Sequence, residues 1–216
     1  MANLFNYDGK LMRALQKIAE SLLLSLLWLL FSIPVFTIGA ASAALYYTTK
    51  KSLINNQGYV WSEFWEAFKS NFKQATPIWL LFLAYYVLSG INFYLFSNYS
   101  DGGLNSAIVM LIIMLFFVST LAVYYFPYIA CFESTIKNAL KNILYISYSN
   151  FQWSILLFIL LAVSVIIFLL FPPIICVVPT LYALIANLII GHIFKKYLTP
   201  EQLAEENEIN GMDNTI

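Results

Sequence analysis

An apolar run over residues 22–47, broken by Pro34 and again by Gly39, constrains the fold more than any other feature. Proline lacks an amide hydrogen and disfavours helix at the residue before it, so a first helix should end there. A second helix should follow, with Thr37 at its N-cap position. We interpret residues 18–55 as a helical hairpin.

Small residues recur at helical spacing at the start of the second helix. Gly39 with Ala43, and Ala40 with Ala44, form small-xxx-small pairs. Such pairs let another helix backbone approach closely in lipid. Tight helix packing, within one chain or between copies, is the favoured interpretation, and a substrate path lined by backbone is the alternative.

The composition indicates that lipid is the solvent for much of the chain. Hydrophobic residues make up 61% of the sequence and charged residues only 10%, against about 45–50% and 25% in soluble domains. Further runs approach the roughly 20 residues needed to cross a bilayer. They predict spans at about residues 77–96, 104–129, 153–170 and 174–194. We therefore expect an all-α, polytopic transmembrane helical bundle, with residues 1–198 as a single membrane domain and residues 199–216 as an acidic cytoplasmic tail.

The basic residues predict which side of the membrane each loop and each terminus faces. All eleven Lys and Arg lie in four clusters, at residues 10–17, 50–73, 137–141 and 195–196. The positive-inside rule then places these clusters, and both termini, in the cytoplasm. About six crossings result if each arm of the hairpin crosses. Each arm reaches only about 24 Å against a ~30 Å core, so a short or re-entrant hairpin is the alternative.

Between the hairpin and the next span, residues 60–73 show aromatic side chains at helical spacing on one face. These are Trp61, Phe64, Trp65, Phe68 and Phe72. The pattern is typical of a helix that lies in the membrane interface. We regard this face as a candidate interface or partner surface. A second cytoplasmic amphipathic segment is expected over residues 133–150.

Few polar residues within the spans could support chemistry. Asn92 and Asn187 are the most deeply placed amides; they could line a path for a neutral solute, although bridging two helices is the favoured use. The sequence has no phosphate loop, no metal-ligand spacing and no nucleophile–base pair, so no catalytic, cofactor-binding or metal site is assigned. We do not expect an enzyme or a cofactor. The formal net charge of zero argues against nucleic acid as a partner.

Three blocks of sequence resemble the YesL-type family of bacterial integral membrane proteins. They are Leu27–Pro34 with Thr37–Ala40 and Ala44–Tyr46; Gly58–Tyr59 with Phe64, Ala67–Lys69 and Asn71–Thr76; and Phe126–Pro127 with Phe132–Glu133, Lys137–Asn138 and Leu140–Asn142. The chain departs from the family at Ser25, where asparagine is frequent, and at Cys131, where a basic residue is frequent. The resemblance implies a bacterial plasma-membrane protein of unestablished biochemistry, associated with carbohydrate ABC-type uptake.

Three functions remain open at this point. The first is an accessory subunit that contacts components of a carbohydrate ABC transporter. The second is a transporter or channel for a small neutral solute. The third is a membrane scaffold or lipid sensor. The lipid bilayer is a partner in each case, and a homo-oligomer is compatible with all three.

Overall fold

A computed structural model describes residues 10–99, 106–132 and 134–197 of the chain. Within these ranges the chain is almost entirely helical and contains no strand. The α-helices are α1 (Lys10–Ser32), α2 (Ile38–Thr48), α3 (Val60–Tyr99), α4 (Ser106–Cys131), α5 (Ile136–Ser149), α6 (Phe151–Leu170) and α7 (Val178–Phe194). A π-helical turn over Thr49–Ile54 extends α2, and 3-10 turns at Val35–Thr37 and Pro172–Cys176 precede α2 and α7. The predicted all-α class is confirmed, whereas the predicted acidic tail lies outside the described residues.

Four of the described helices are long and apolar enough to cross a membrane, namely α1, α3, α4 and α6. The apolar helix α7 is shorter, at 17 residues. The protein is therefore a multi-pass membrane protein. The second arm of the hairpin is shorter than the first, because α2 has 11 residues and the π-helical turn adds six. At up to 1.5 Å per residue the arm extends about 24 Å, short of a ~30 Å hydrocarbon core.

The chain does not break between the predicted interfacial helix over residues 60–73 and the span predicted from Pro77. A single helix, α3, runs for 40 residues through Pro77. Its length of about 60 Å is twice the thickness of a hydrocarbon core. One half of α3 must therefore lie outside the hydrocarbon or run along its surface.

Contacts from other segments support α3 on both sides of its proline. The Tyr125 hydroxyl of α4 donates to the Gln74 carbonyl (3.3 Å), and the Gln74 side-chain amide donates to the Ser134 carbonyl (2.8 Å). Beyond the proline, Trp79 Nε1 donates to the Val35 carbonyl at 2.7 Å. Proline is tolerated within membrane helices where neighbouring segments compensate for its lost hydrogen bond. These contacts hold α3 against its neighbours on both sides of Pro77.

The second arm of the hairpin packs against the first half of α3 and runs antiparallel to it. Gly39, at the start of α2, lies against Ala75 and Trp79. At the other end of this arm, Lys51 Nζ lies 2.8 Å from the Glu63 carboxylate. The tip of the hairpin therefore reaches only Trp79, and α3 continues for 20 residues, about 30 Å, beyond it.

A second amphipathic helix, α5, confirms the pattern expected between the later spans. Ala139, Ile143 and Ile146 are buried on one face. Lys137 and Lys141 are exposed on the other. The helix follows α4 and leads into α6, so it forms part of the same end of the bundle as the C-terminus of α4.

Candidate functional site

The small-residue helix α2 lies at the centre of the bundle. Its buried residues are Gly39, Ala40, Ala41, Ala43, Ala44, Leu45, Tyr46 and Thr48. A Cβ atom at Gly39 would lie 2.5 Å from Trp79 Cβ, 3.0 Å from the Ala75 carbonyl oxygen and 3.1 Å from Phe126 Cε1. The favoured interpretation of these residues as tight packing fits this arrangement, and α3 and α4 occupy the face within one chain.

The turn at the tip of the hairpin is closed by Thr37. The first helix ends at Ser32, as the proline predicted. The Thr37 hydroxyl lies 2.5 Å from the Phe31 carbonyl and 2.6 Å from the Pro34 carbonyl. The prediction that Thr37 caps α2 is therefore corrected: it occupies the N-cap position, but its side chain makes no cap hydrogen bond. Carbonyls at the end of a helix need donors, and here the hydroxyl supplies one.

The predicted aromatic surface is divided between the interior and the exterior. Phe64 and Phe68 are 1% and 8% exposed. The ring of Phe31 lies over them, with centroid distances of 5.5 and 5.0 Å, and Phe72 packs beside Phe68. The prediction that all five aromatics present one free face is therefore wrong for Phe64 and Phe68, because α1 covers them.

The exposed remainder of this face consists of Trp61, Trp65 and Lys69, which we call the Trp–Lys surface. The two tryptophans are 55% and 40% exposed. Lys69 Nζ lies 5.3 Å from the Trp65 ring centroid, within the range of a cation–π contact. The Trp65 ring also stacks on the Phe68 ring, with 6.0 Å between the ring centroids. The surface is therefore held from behind by packed rings.

The two candidate amides are not brought together. Asn92 is exposed on α3, and its Nδ2 donates to the Leu88 carbonyl one turn earlier in the same helix (2.9 Å). Asn187 is buried on α7 and donates to the Tyr46 carbonyl at 3.1 Å. That carbonyl lies where α2 passes into its π-helical turn and the backbone hydrogen bonding changes. Asn187 thus bridges α7 and α2, whereas Asn92 does not contribute to a shared path with it.

A second polar bridge joins α1 to α7. Ser25 Oγ and Thr180 Oγ1 are 2.7 Å apart, and Thr180 Oγ1 also lies 3.0 Å from the Ser21 carbonyl. Thr180 therefore donates to Ser21 and accepts from Ser25. Ser25 is one of the two departures from the YesL pattern, and its hydroxyl takes part in helix packing.

The two lysines at the end of the α2 arm have different surroundings. Lys50 is buried, at 9% exposed, and its Nζ lies 4.0 Å from Cys131 Sγ. Lys51 is less buried. Burial lowers the pKa of Lys51, but hydrogen bonds with Glu63 and with the Tyr47 hydroxyl outweigh it, and the pKa is raised. The ammonium therefore stays charged at neutral pH.

A cavity of about 370 Å³ lies beside the arms of the hairpin. Side chains from α1, α2, α3, α4, α6 and α7 line it, and its walls are almost wholly apolar. Trp28 Nε1 donates to Ser42 Oγ (3.2 Å), and the Tyr86 hydroxyl donates to Ser119 Oγ (3.2 Å). The sequence did not reveal this cavity, because its walls come from six separate helices and no local pattern distinguishes them.

Within the described ranges, no group of three or more His, Cys, Asp or Glu side chains could hold a metal ion. Cys131 and Cys176 are not joined in a disulfide. The features that the structure does bring together are therefore a central small-residue helix, the Trp–Lys surface and an apolar cavity.

The chain was compared with known proteins. No curated protein and no solved structure matches it. Residues 22–93 match the model of a family described as "Protein of unknown function, DUF624". The match covers the second half of α1, all of α2 and most of α3, which are the segments that form the hairpin and its packing partner. Over these residues the chain is similar to an uncharacterised family.

Proposed function

We propose that the protein is an accessory subunit of a bacterial plasma-membrane system for carbohydrate ABC-type uptake. The observation that carries the proposal is the Trp–Lys surface. Tryptophan is enriched where proteins bind one another, and it is frequent among residues that dominate binding energy. The resemblance to YesL-type proteins supports carbohydrate uptake as the system concerned.

The Trp–Lys surface suits contact with another protein because it is preorganised. Phe68 packs against the α1 ring of Phe31, and the Trp65 ring contacts both Phe68 and Lys69. Little side-chain freedom is then lost when a partner covers the surface, and ordering such side chains is one of the main costs of association.

The proposed topology has a re-entrant hairpin and both termini in the cytoplasm. The contact between Val35 and Trp79 supports it, because the tip reaches α3 where the apolar half of that helix begins. The first half of α3, with Glu63, Glu66 and Lys69, then lies at the cytoplasmic boundary. This places the Trp–Lys surface on the cytoplasmic side, where the basic clusters are expected.

A co-purification experiment tests the proposal. Tagged protein would be solubilised from its native membrane in a mild detergent, and carbohydrate-transporter components would be measured in the eluate. The double variant Trp61→Ala/Trp65→Ala should reduce their recovery more than tenfold, since hot-spot side chains contribute about 2 kcal/mol or more. The matched control is Trp153→Ala, which removes a tryptophan that is 42% exposed on α6. Recovery of no transporter component with the unaltered protein, or equal recovery with the double variant, would refute the proposal.

A further inference from the structure

We infer that the cavity beside the hairpin arms is a binding site for one alkyl chain of a lipid. Its volume of about 370 Å³ falls within the ~300–1,000 Å³ typical of small-molecule sites. A whole two-chain phospholipid occupies far more than this volume, so a single chain is the part that fits.

Most polar side chains on the cavity wall are already paired, and the buried Tyr182 hydroxyl is the exception. The Trp28 indole is bonded to Ser42, and the Tyr86 hydroxyl to Ser119. Ser164 Oγ donates to the Leu160 carbonyl at 2.8 Å. Water in a protein cavity needs two to four polar partners, and these side chains offer few. The cavity therefore favours an apolar occupant over water or a sugar.

The position of the cavity gives an alkyl chain access. The wall is partly open, and its α6 residues Val165 and Phe168 are 49% and 37% exposed. Both residues belong to α6, an apolar helix that is long enough to cross a membrane. A chain from the surrounding lipid can thus enter beside these two residues without crossing a polar boundary.

The floor of the cavity is rigid. Tyr46 is buried on α2 and packs edge-on against Tyr182 of α7, with 6.5 Å between ring centroids. On the α3 side, Trp79 is held by its bond to the Val35 carbonyl. An occupant therefore contacts the two arms of the hairpin, and the site lies apart from the Trp–Lys surface.

Two of the five tryptophans, Trp28 and Trp79, line the cavity and can report on its occupant. The other three would be replaced in one background variant, Trp61→Phe/Trp65→Phe/Trp153→Phe. This protein would be reconstituted in vesicles of phosphatidylcholine with a dibrominated acyl chain, since bromine quenches tryptophan fluorescence on contact. A second arm would add dibrominated stearic acid to vesicles of unbrominated phosphatidylcholine. Quenching in the first arm identifies a phospholipid chain, and quenching in the second alone identifies a free fatty acid.

A variant that fills the cavity distinguishes quenching by a bound chain from quenching by the lipid that surrounds the protein. Ala122→Phe places a ring in the cavity and should remove much of the quenching. Ala84→Phe makes the same change at an exposed position of α3 and should leave quenching unchanged. If Ala122→Phe does not fold, Val165→Phe narrows the open side and should have the same effect. Quenching that is absent in both arms, or that persists in a folded cavity-filled variant, would overturn the inference.

Discussion

Replacing Gly39 with leucine is expected to abolish accumulation of folded protein. The first added atom would lie 2.5 Å from Trp79 Cβ and 3.0 Å from the Ala75 carbonyl oxygen. Both neighbours belong to or adjoin the backbone of α3, so they cannot rotate away as the end of a flexible side chain would. Overpacking typically costs about 1–3 kcal/mol, and a rigid clash at the centre of the bundle should reach or exceed the top of that range.

The matched control is Gly90→Leu. Gly90 is also a helical glycine, and no atom lies within 4 Å of a Cβ built there. Size-exclusion chromatography in a mild detergent would compare the two variants. Gly90→Leu should elute as a single peak at the wild-type yield, whereas Gly39→Leu should be lost or aggregated. A monodisperse Gly39→Leu protein would show that α2 does not pack closely against α3.

Phe64→Ala is expected to have the second largest effect. The ring is 1% exposed and lies between Phe31 of α1 and Phe68 of α3. Removing a buried Phe costs about 3–5 kcal/mol in soluble proteins. Part of that cost is the free energy of transferring the ring from water, and this part is smaller in a membrane. We therefore expect Phe64→Ala to lower the free energy of unfolding by about 3 kcal/mol. A loss of this size would lower the Tm of the solubilised protein by roughly 6–12 °C.

Trp61→Ala is the control for this change, because it removes a larger ring from the same helix face at a position that is 55% exposed. Surface changes usually stay within ~0.5 kcal/mol, so the Tm should barely move. Thermal unfolding of both variants in one detergent would decide the matter. Equal Tm values for Phe64→Ala and wild type would contradict the burial of Phe64 under α1.

The hairpin turn could be read from the sequence because its cause is local. Pro34 lacks a donor and restricts its predecessor, so α1 ends at Ser32 whatever surrounds it. Helices α4 and α6 match the predicted spans to within two residues at each end, because length and hydropathy act over the segment itself. Helix α7 begins four residues later than predicted, and α3 begins well before its predicted span. Asn187 bridges two helices, as a lone amide in lipid is expected to do.

The remaining features depend on distant partners. Pro77 has the same local chemistry as Pro34, yet the helix continues through it, and Val35 and Tyr125 contact α3 on either side of the proline. Helical spacing showed that Trp61 and Phe64 share a face, but not that Phe31 covers one of them. The cavity is formed by six helices together, so the residue pattern of any one helix does not predict it.

The re-entrant hairpin is the centre of this account, and cysteine labelling in intact cells tests it most directly. Single substitutions Val35→Cys and Ser97→Cys would be made in a background with Cys131→Ala and Cys176→Ala. Val35 is 52% exposed at the hairpin tip, so protein burial does not protect it. A membrane-impermeant maleimide should label Ser97→Cys from outside and leave Val35→Cys unlabelled. Labelling of Val35→Cys to the same extent would show that the hairpin crosses the membrane twice, and would contradict the topology proposed here.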